Sequence, residues 1–260
     1  MADAKTFVVN APAWIDLGST DPDAAREFYT KLFGWKAEVE KDPAAGGYAM
    51  ARFGDKDVAG IGGKQPGDPS PSAWSLYIGT KDVDALAKKV EAAGGTVVAP
   101  PFDVMDVGRM SVFQDPSGAF ISAWQPNTMG GFDVKGKAGS FVWAELNARG
   151  LDKAEPFYKQ VFGWSEKKSP MGEGLGDYTE FKLNDESILG ALEMMPMVPK
   201  EVPSYWLVYF NVDDVDKAHK KVLDLGGKEL LGPQDYPGGR YSIVADPTGA
   251  AFGLMKGEQQ

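Results

Sequence analysis

The chain has no cysteine and a single histidine, His219, among its 260 residues. Without cysteine there is no disulfide framework, no thiolate nucleophile and no sulfur-ligated zinc or iron–sulfur cluster. With one histidine, a histidine-based metal triad or a paired-histidine relay cannot be built within one chain. Positive charge is also scarce: 27 Lys and Arg stand against 37 Asp and Glu, a net charge of −10. That balance argues against sequence-independent nucleic-acid binding and against a polybasic membrane-surface role. No apolar run approaches the ~18 residues of a membrane span, and Met1–Trp14 lacks the long apolar core of an export signal. Hydrophobic content of 43% with 25% charged residues is ordinary for a soluble globular protein. The expectation is a soluble cytoplasmic protein, monomeric or weakly dimeric, with a small molecule as its partner and neither nucleic acid nor membrane.

What the chain does have is a copy of itself. Phe28-Tyr29 recurs as Phe157-Tyr158 and Phe33-Gly34-Trp35 as Phe162-Gly163-Trp164, both offset by 129, as are Trp14 and Trp143. Asp82-Val83-Asp84 matches Asp214-Val215-Asp216, and Gly94-Gly95 matches Gly226-Gly227, at 132. Gly108-Arg109 matches Gly239-Arg240, and Asp115-Pro116 matches Asp246-Pro247, at 131. A unit this long is a duplicated domain, since solenoid repeats run ~20–50 residues. The boundaries predicted are 11–127 and 139–257, with a glycine-rich linker of flexible composition at 128–138.

Both copies read in one order. A short alternating strand at Trp14–Leu17, or Trp143–Leu146, leads into a helix. In the first copy Asp21 suits the N-cap, Pro22 the first helical position and Gly34 the stop. In the second, Pro156 is expected within the first turn. Strands follow at Tyr48–Phe53 and Asp57–Gly62, matched by Tyr178–Leu183 and Ser187–Leu192. A second half opens with strands at Trp74–Gly79 and Trp206–Asn211. Its helices carry apolar stripes Val83, Leu86, Val90, Ala93 and Val215, Ala218, Val222, Leu225, with the spacing of a helix lying on a sheet. Asp-Pro-Ser/Thr-Gly at Asp115–Gly118 and Asp246–Gly249 reads as a type I turn between strands. The class is α+β.

This order of motifs, met twice, resembles the vicinal oxygen chelate superfamily, which includes glyoxalase I, bleomycin-resistance proteins, extradiol dioxygenases and methylmalonyl-CoA epimerase. The two-module length and the Gly-Arg and Asp-Pro-Ser/Thr-Gly-Ala motifs look like actinobacterial proteins labelled hydroxylase or glyoxalase-like antigen. The resemblance implies two tandem βαβββ-βαβββ-like modules, each a curved mixed sheet forming a cup, with helices on the outer face. The superfamily's metal ligands are His or Glu on four strands. Carried over residue by residue, those positions hold Trp14 and Trp143, Ser75 and Leu207, Ser122 and Gly253, and Met50 and Glu180. Only Glu180 is a carboxylate, and a catalytic divalent metal needs about three protein ligands. The expectation is no metal and no cofactor, against glyoxalase, epimerase or extradiol dioxygenase chemistry.

Strand alternation puts Trp14 with Asp16, and Trp143 with Glu145, on the face that the resemblance makes the cup. There they read as an aromatic wall with an acidic group, or as core Trp beside a carboxylate tied to the sheet. Tyr77 and Tyr209 share parity with Ser75 and Leu207 and could orient an oxygenated ligand or serve as acids. Trp124, in parity with Ser122, is replaced by Met255 in the second copy. Arg109 and Arg240 read either as forks for an anionic or carbonyl ligand or, in preference, as structural ion pairs. His219 is placed on a solvated helix surface. Gly62–Ser72 and Glu193–Ser204, rich in Pro and Met, are candidate rims for a hydrophobic ligand. The leading expectation is metal-independent binding of a small aromatic or hydrophobic metabolite. The alternative is a metal-free enzyme with Asp16 or Glu145 as base and a tyrosine as acid. A structural or antigenic role stands third.

Overall fold

A computed structural model describes residues 7–65, 67–172 and 174–257. The first six residues of the Met1–Trp14 segment, and Pro66 of the first candidate rim, lie outside the described residues. The first module runs β1 (Pro12–Ser19), α1 (Pro22–Phe33), β2 (Lys36–Val39), β3 (Ala49–Phe53), β4 (Lys56–Gly63), β5 (Ala73–Gly79), α2 (Val83–Ala92), β6 (Thr96–Val104), β7 (Gly108–Gln114) and β8 (Phe120–Pro126). The second repeats it as β9 (Phe141–Ala148), α3 (Leu151–Phe162), β10 (Ser165–Gly172), β11 (Gly176–Leu183), β12 (Glu186–Glu193), β13 (Tyr205–Asn211), α4 (Val215–Asp224), β14 (Lys228–Tyr236), β15 (Gly239–Ala245) and β16 (Ala251–Gly257).

Each module is one eight-stranded sheet, ordered β2-β3-β4-β1-β5-β8-β7-β6 and β10-β11-β12-β9-β13-β16-β15-β14. β1 runs parallel to β4 and antiparallel to β5, while β5 runs parallel to β8; β9, β12, β13 and β16 repeat the scheme. Each sheet is thus two βαβββ halves joined by their first strands. The fold is the tandem α+β architecture expected.

Local chemistry sets the helix ends. The Asp21 carboxylate accepts from the Ala24 N–H, Pro22 opens α1, and Gly34 closes it at φ 77°. α3 has no such cap residue; Gly150 precedes it, and the Glu193 carboxylate of β12 reaches over to accept from the Gly150 and Leu151 N–H groups. Pro156 sits deeper than the first turn: it is the sixth helical residue, where the missing N–H leaves the Asp152 carbonyl without its helical donor.

The sheets pack back to back. Ile15, Leu17, Leu76 and Ile78 of the first module and Val208, Phe210, Phe252 and Leu254 of the second share one core with the inner faces of the helices. The duplicated motifs lock the modules together across it. The Tyr29 hydroxyl donates to Asp246 Oδ2 at 3.1 Å and receives the Trp74 indole N–H at 2.9 Å. In the mirrored arrangement Tyr158 donates to Asp115 at 2.8 Å and receives Trp206 at 2.8 Å. The other oxygen of each aspartate holds its own turn, Asp115 through Ser117 and Ala119, Asp246 through Thr248 and Ala250. Trp35 donates to the Gly139 carbonyl and Trp164 to that of Asn10, again between modules.

The linker does not hang free between the modules, as its glycine content suggested. The Phe132 N–H bonds the Ala13 carbonyl, and its ring lies 5.5 Å from Trp14 and 5.2 Å from Phe141. Gly131, at φ 104°, permits this approach, because a Cβ there would come within 2.3 Å of the Ala13 carbonyl oxygen. His219 also departs from expectation: it is buried, with Nε2 2.8 Å from Glu229 Oε2 of β14. A partner from a strand closes over a helix position that periodicity alone assigns to solvent.

Candidate functional site

With the convex faces consumed by the core, the concave faces point away from one another. Alternation along β1, β5 and β8 aims Trp14, Asp16, Ser75, Tyr77, Ser122 and Trp124 into the first cup. The register places Trp14 opposite Tyr77, Asp16 opposite Ser75 and Tyr77 opposite Ser122. Asp16 Oδ2 accepts from the Tyr77 hydroxyl at 2.9 Å, and the Ser75 and Tyr48 hydroxyls beside it favour the charged carboxylate. Tyr48 in turn receives the Trp14 indole N–H at 3.1 Å. Burial is the main influence on Asp16 and lifts its pKa from 3.8 to about 6; the three hydroxyl donors and Lys64 pull it partly back. Burial and then the Asp16 charge push the Tyr48 and Tyr77 hydroxyls well above their usual range.

The second cup repeats this arrangement. Trp143 donates to the Tyr178 hydroxyl at 2.9 Å; Tyr178, Tyr209 (3.3 Å) and Asn147 (3.4 Å) donate to Glu145, whose pKa burial raises. Tyr48 and Tyr178 were not singled out in the sequence, although they recur 130 residues apart, each two positions before Met50 or Glu180. Each needs a glycine beneath it. A Cβ at Gly60 would lie 1.7 Å from the Tyr48 hydroxyl, and one at Gly190 would lie 1.9 Å from that of Tyr178.

The cups differ in what else fills them. Trp14 is 3% exposed, packed in a cluster with Met50, Tyr77 and Trp124 that Met110, Met129 and Phe132 close over. In the second cup Met255 replaces Trp124, Tyr241 aligns with Met110 and Glu180 with Met50. Trp143, Glu145, Tyr178, Tyr205, Tyr241 and Met255 are there all half-buried around a floor of Leu207 and Tyr209. The ring of Tyr209 lies over Gly253, where a Cβ would approach within 1.9 Å. Lys64, above Gly18 at the end of the first cup, bonds Ser70 and pairs with Asp68.

Other candidates fall outside this pattern. Arg109 and Arg240 lie on the opposite strand face from Met110 and Tyr241. Arg109 pairs with Asp103 and Asp84, and Arg240 with Asp235 and Asp216, so neither fork is aimed into a cup. Glu180 holds Ser187 at 2.6 Å and Lys167 at 3.3 Å, contacts that depress its pKa. Of the proposed rims, Glu193–Ser204 is gathered by Arg149, which donates to the Val198, Pro199 and Val202 carbonyls. Met194 is buried there, while Met197 is exposed.

The sequence profile of the glyoxalase/bleomycin resistance protein/dioxygenase superfamily matches residues 11–122 and 140–254. The chain belongs to this superfamily. CFP32 of Mycobacterium bovis, which bears a provisional glyoxylase name, is 39% identical over 260 residues, covering 98% of both chains. The anthracycline biosynthesis protein DnrV of Streptomyces peucetius is 38% identical over 265 residues, covering 96% of this chain and 94% of that protein. The Mn(II)-bound glyoxalase of Novosphingobium aromaticivorans shares the fold, with TM-score 0.65 and 19% identity over 95% of this chain and 81% of its own.

Members of the superfamily that hold a metal need a cluster of donors in the cup. Here those positions carry an indole, a hydroxymethyl, an aliphatic chain, the Met50 thioether or nothing, and Glu180 is engaged by Lys167 and Ser187. Among the described residues no three His, Cys, Asp or Glu side chains gather within reach of one ion. The donor set does not fit a divalent metal. Among the described residues, too, no helix is long and apolar enough to cross a membrane.

Proposed function

We propose that the protein binds a small aromatic or hydrophobic molecule in its cups through its own side chains, without a protein-held metal. The observation that carries this reading is the duplicated constellation of indole, tyrosine, carboxylate and second tyrosine in the two cups. An aromatic wall supplies most of the affinity by burial and stacking, and one carboxylate fixes orientation. The second cup is the principal site, because its Trp143, Tyr178, Tyr205 and Tyr241 reach solvent while the first cup is packed with its own side chains. The relation to an anthracycline biosynthesis protein makes planar polycyclic aromatics the first ligands to test. Titration of chelator-treated protein with an anthracycline, followed by tryptophan fluorescence, should give saturable quenching that Trp143→Ala abolishes. Binding that returns only on adding a divalent metal sinks the proposal.

A second reading has one observation in its favour. Asp16, lifted to about 6 and held by Tyr48 and Tyr77, sits near the pKa of an effective general base at neutral pH. A metal-free enzyme would use Asp16 or Glu145 to take a proton and a tyrosine to return it. Turnover lost in Asp16→Asn with binding retained would select this reading over simple binding.

A further inference from the structure

The hydrogen bonds made to the Glu145 carboxylate all run from neutral donors. Tyr209 donates to Oε1 at 3.3 Å, the Asn147 amide donates to Oε1 at 3.4 Å, and Tyr178 is the third donor. The Trp143 indole fixes the polarity of the last contact. An indole N–H can only donate, so at 2.9 Å it occupies an acceptor site of the Tyr178 oxygen and leaves that hydroxyl's hydrogen for Glu145. Gly190 makes room for the hydroxyl in this position. A carboxylate offers about four lone-pair sites, more than these donors fill. The Tyr178 and Tyr209 hydroxyl hydrogens are thus turned toward Glu145 and away from a ligand carbonyl.

We infer that the second cup selects ligands by hydrogen-bond polarity: it takes a neutral aromatic alcohol or phenol that donates its hydroxyl to Glu145, and it rejects the corresponding ether. The inference rests on the second cup being a ligand site, as proposed above. A phenol satisfies a remaining lone pair and stacks on Trp143. An ether of the same ring system keeps the stacking but buries two acceptors against each other, with no hydrogen between them. Leaving one such group unsatisfied costs enough to separate the two ligands by about tenfold to a hundredfold.

The test is calorimetric titration of the full chain with naphthol and with naphthyl methyl ether, up to their solubility limits. Naphthol should bind about tenfold to a hundredfold more tightly. In Glu145→Gln the amide accepts from the tyrosines and offers its own N–H to the ligand, so the preference should vanish or reverse while the ether still binds. Equal affinity of the two probes for the wild-type protein overturns the polarity inference alone and leaves the cup as a binding site. A naphthol preference that survives in Glu145→Gln overturns the assignment to Glu145. If neither probe binds, the second cup is not an aromatic site, and the parent proposal falls with this one.

Discussion

Asp16 gives the sharpest quantitative prediction, because its burial couples the first cup to the stability of the whole chain. Its carboxyl titrates at 3.8 in an unperturbed setting and at about 6 in the folded protein, with burial as the principal cause. The folded pKa is raised, so the stabilisation associated with the protonated form is fully present below 3.8 and is lost as pH rises through about 6. At 1.36 kcal/mol per unit, the whole shift corresponds to about 3 kcal/mol, of which about two thirds falls between pH 4.5 and 7.5. Asp16→Asn removes the ionisation. Whatever that substitution costs in hydrogen bonds to Tyr48, Tyr77 and Ser75 is an offset that does not vary with pH over this window. The measurement is therefore the difference in Tm between wild type and variant, followed across the window. That difference should shift by about 4 to 8 °C to the disadvantage of the wild type as pH rises, at roughly 2–4 °C per kcal/mol for a chain of this size. Parallel Tm profiles would refute the reasoning, for they would mean that the carboxylate ionises in the cup at no cost.

The two cups should respond differently to the same change. Trp14→Ala empties a packed cluster and should cost about 3–5 kcal/mol in chemical denaturation, while Trp143→Ala, at a half-exposed site, should cost less and act chiefly on ligand binding. Gly190→Ala places a methyl group on the Tyr178 hydroxyl. It should destabilise the chain by about 1–3 kcal/mol and remove the naphthol preference; a variant that binds like wild type would show that Tyr178 does not order the carboxylate. Tyr158→Phe strips Asp115 and the Trp206 indole of a shared partner across the module interface. A loss of about 2–4 kcal/mol in a single unfolding transition is expected, and two separated transitions would contradict a shared core.

Strand alternation was enough to bring Trp14, Asp16, Trp143 and Glu145 to one kind of face, because period-two geometry admits only two choices. Tyr77 and Tyr209 followed by the same logic. Tyr48 and Tyr178 lie in parity with Met50 and Glu180, but their approach to Asp16 and Glu145 spans an intervening strand, β4 or β12, and follows only once those strands have paired. Yet the duplication held a signal: Tyr48-Ala49-Met50 and Tyr178-Thr179-Glu180 share only the tyrosine, and Ala59-Gly60-Ile61 and Leu189-Gly190-Ala191 only the glycine. The arginines were harder. Their placement depends on which strand face Gly108 and Gly239 begin, and on Asp84 and Asp216 at helix starts 25 and 24 residues away. His219 depended on Glu229, a strand residue that no helical periodicity can supply.

The same duplication separates what the fold demands from what the cups do. Motifs retained in both copies, Phe-Tyr, Phe-Gly-Trp and Asp-Pro-Ser/Thr-Gly, converge on the module interface, where Tyr29 reaches Asp246 and Tyr158 reaches Asp115. They record an interface that has the same geometry seen from either side, so a change in one copy breaks a contact made to the other. The cups carry no such constraint, and there Glu180 stands in the place of Met50, Met255 of Trp124 and Leu207 of Ser75. Yet the indole, the tyrosine, its glycine and the carboxylate persist in both cups. The hydrogen bonds that join them run within each cup and not between the modules, which is the pattern the proposed binding role calls for.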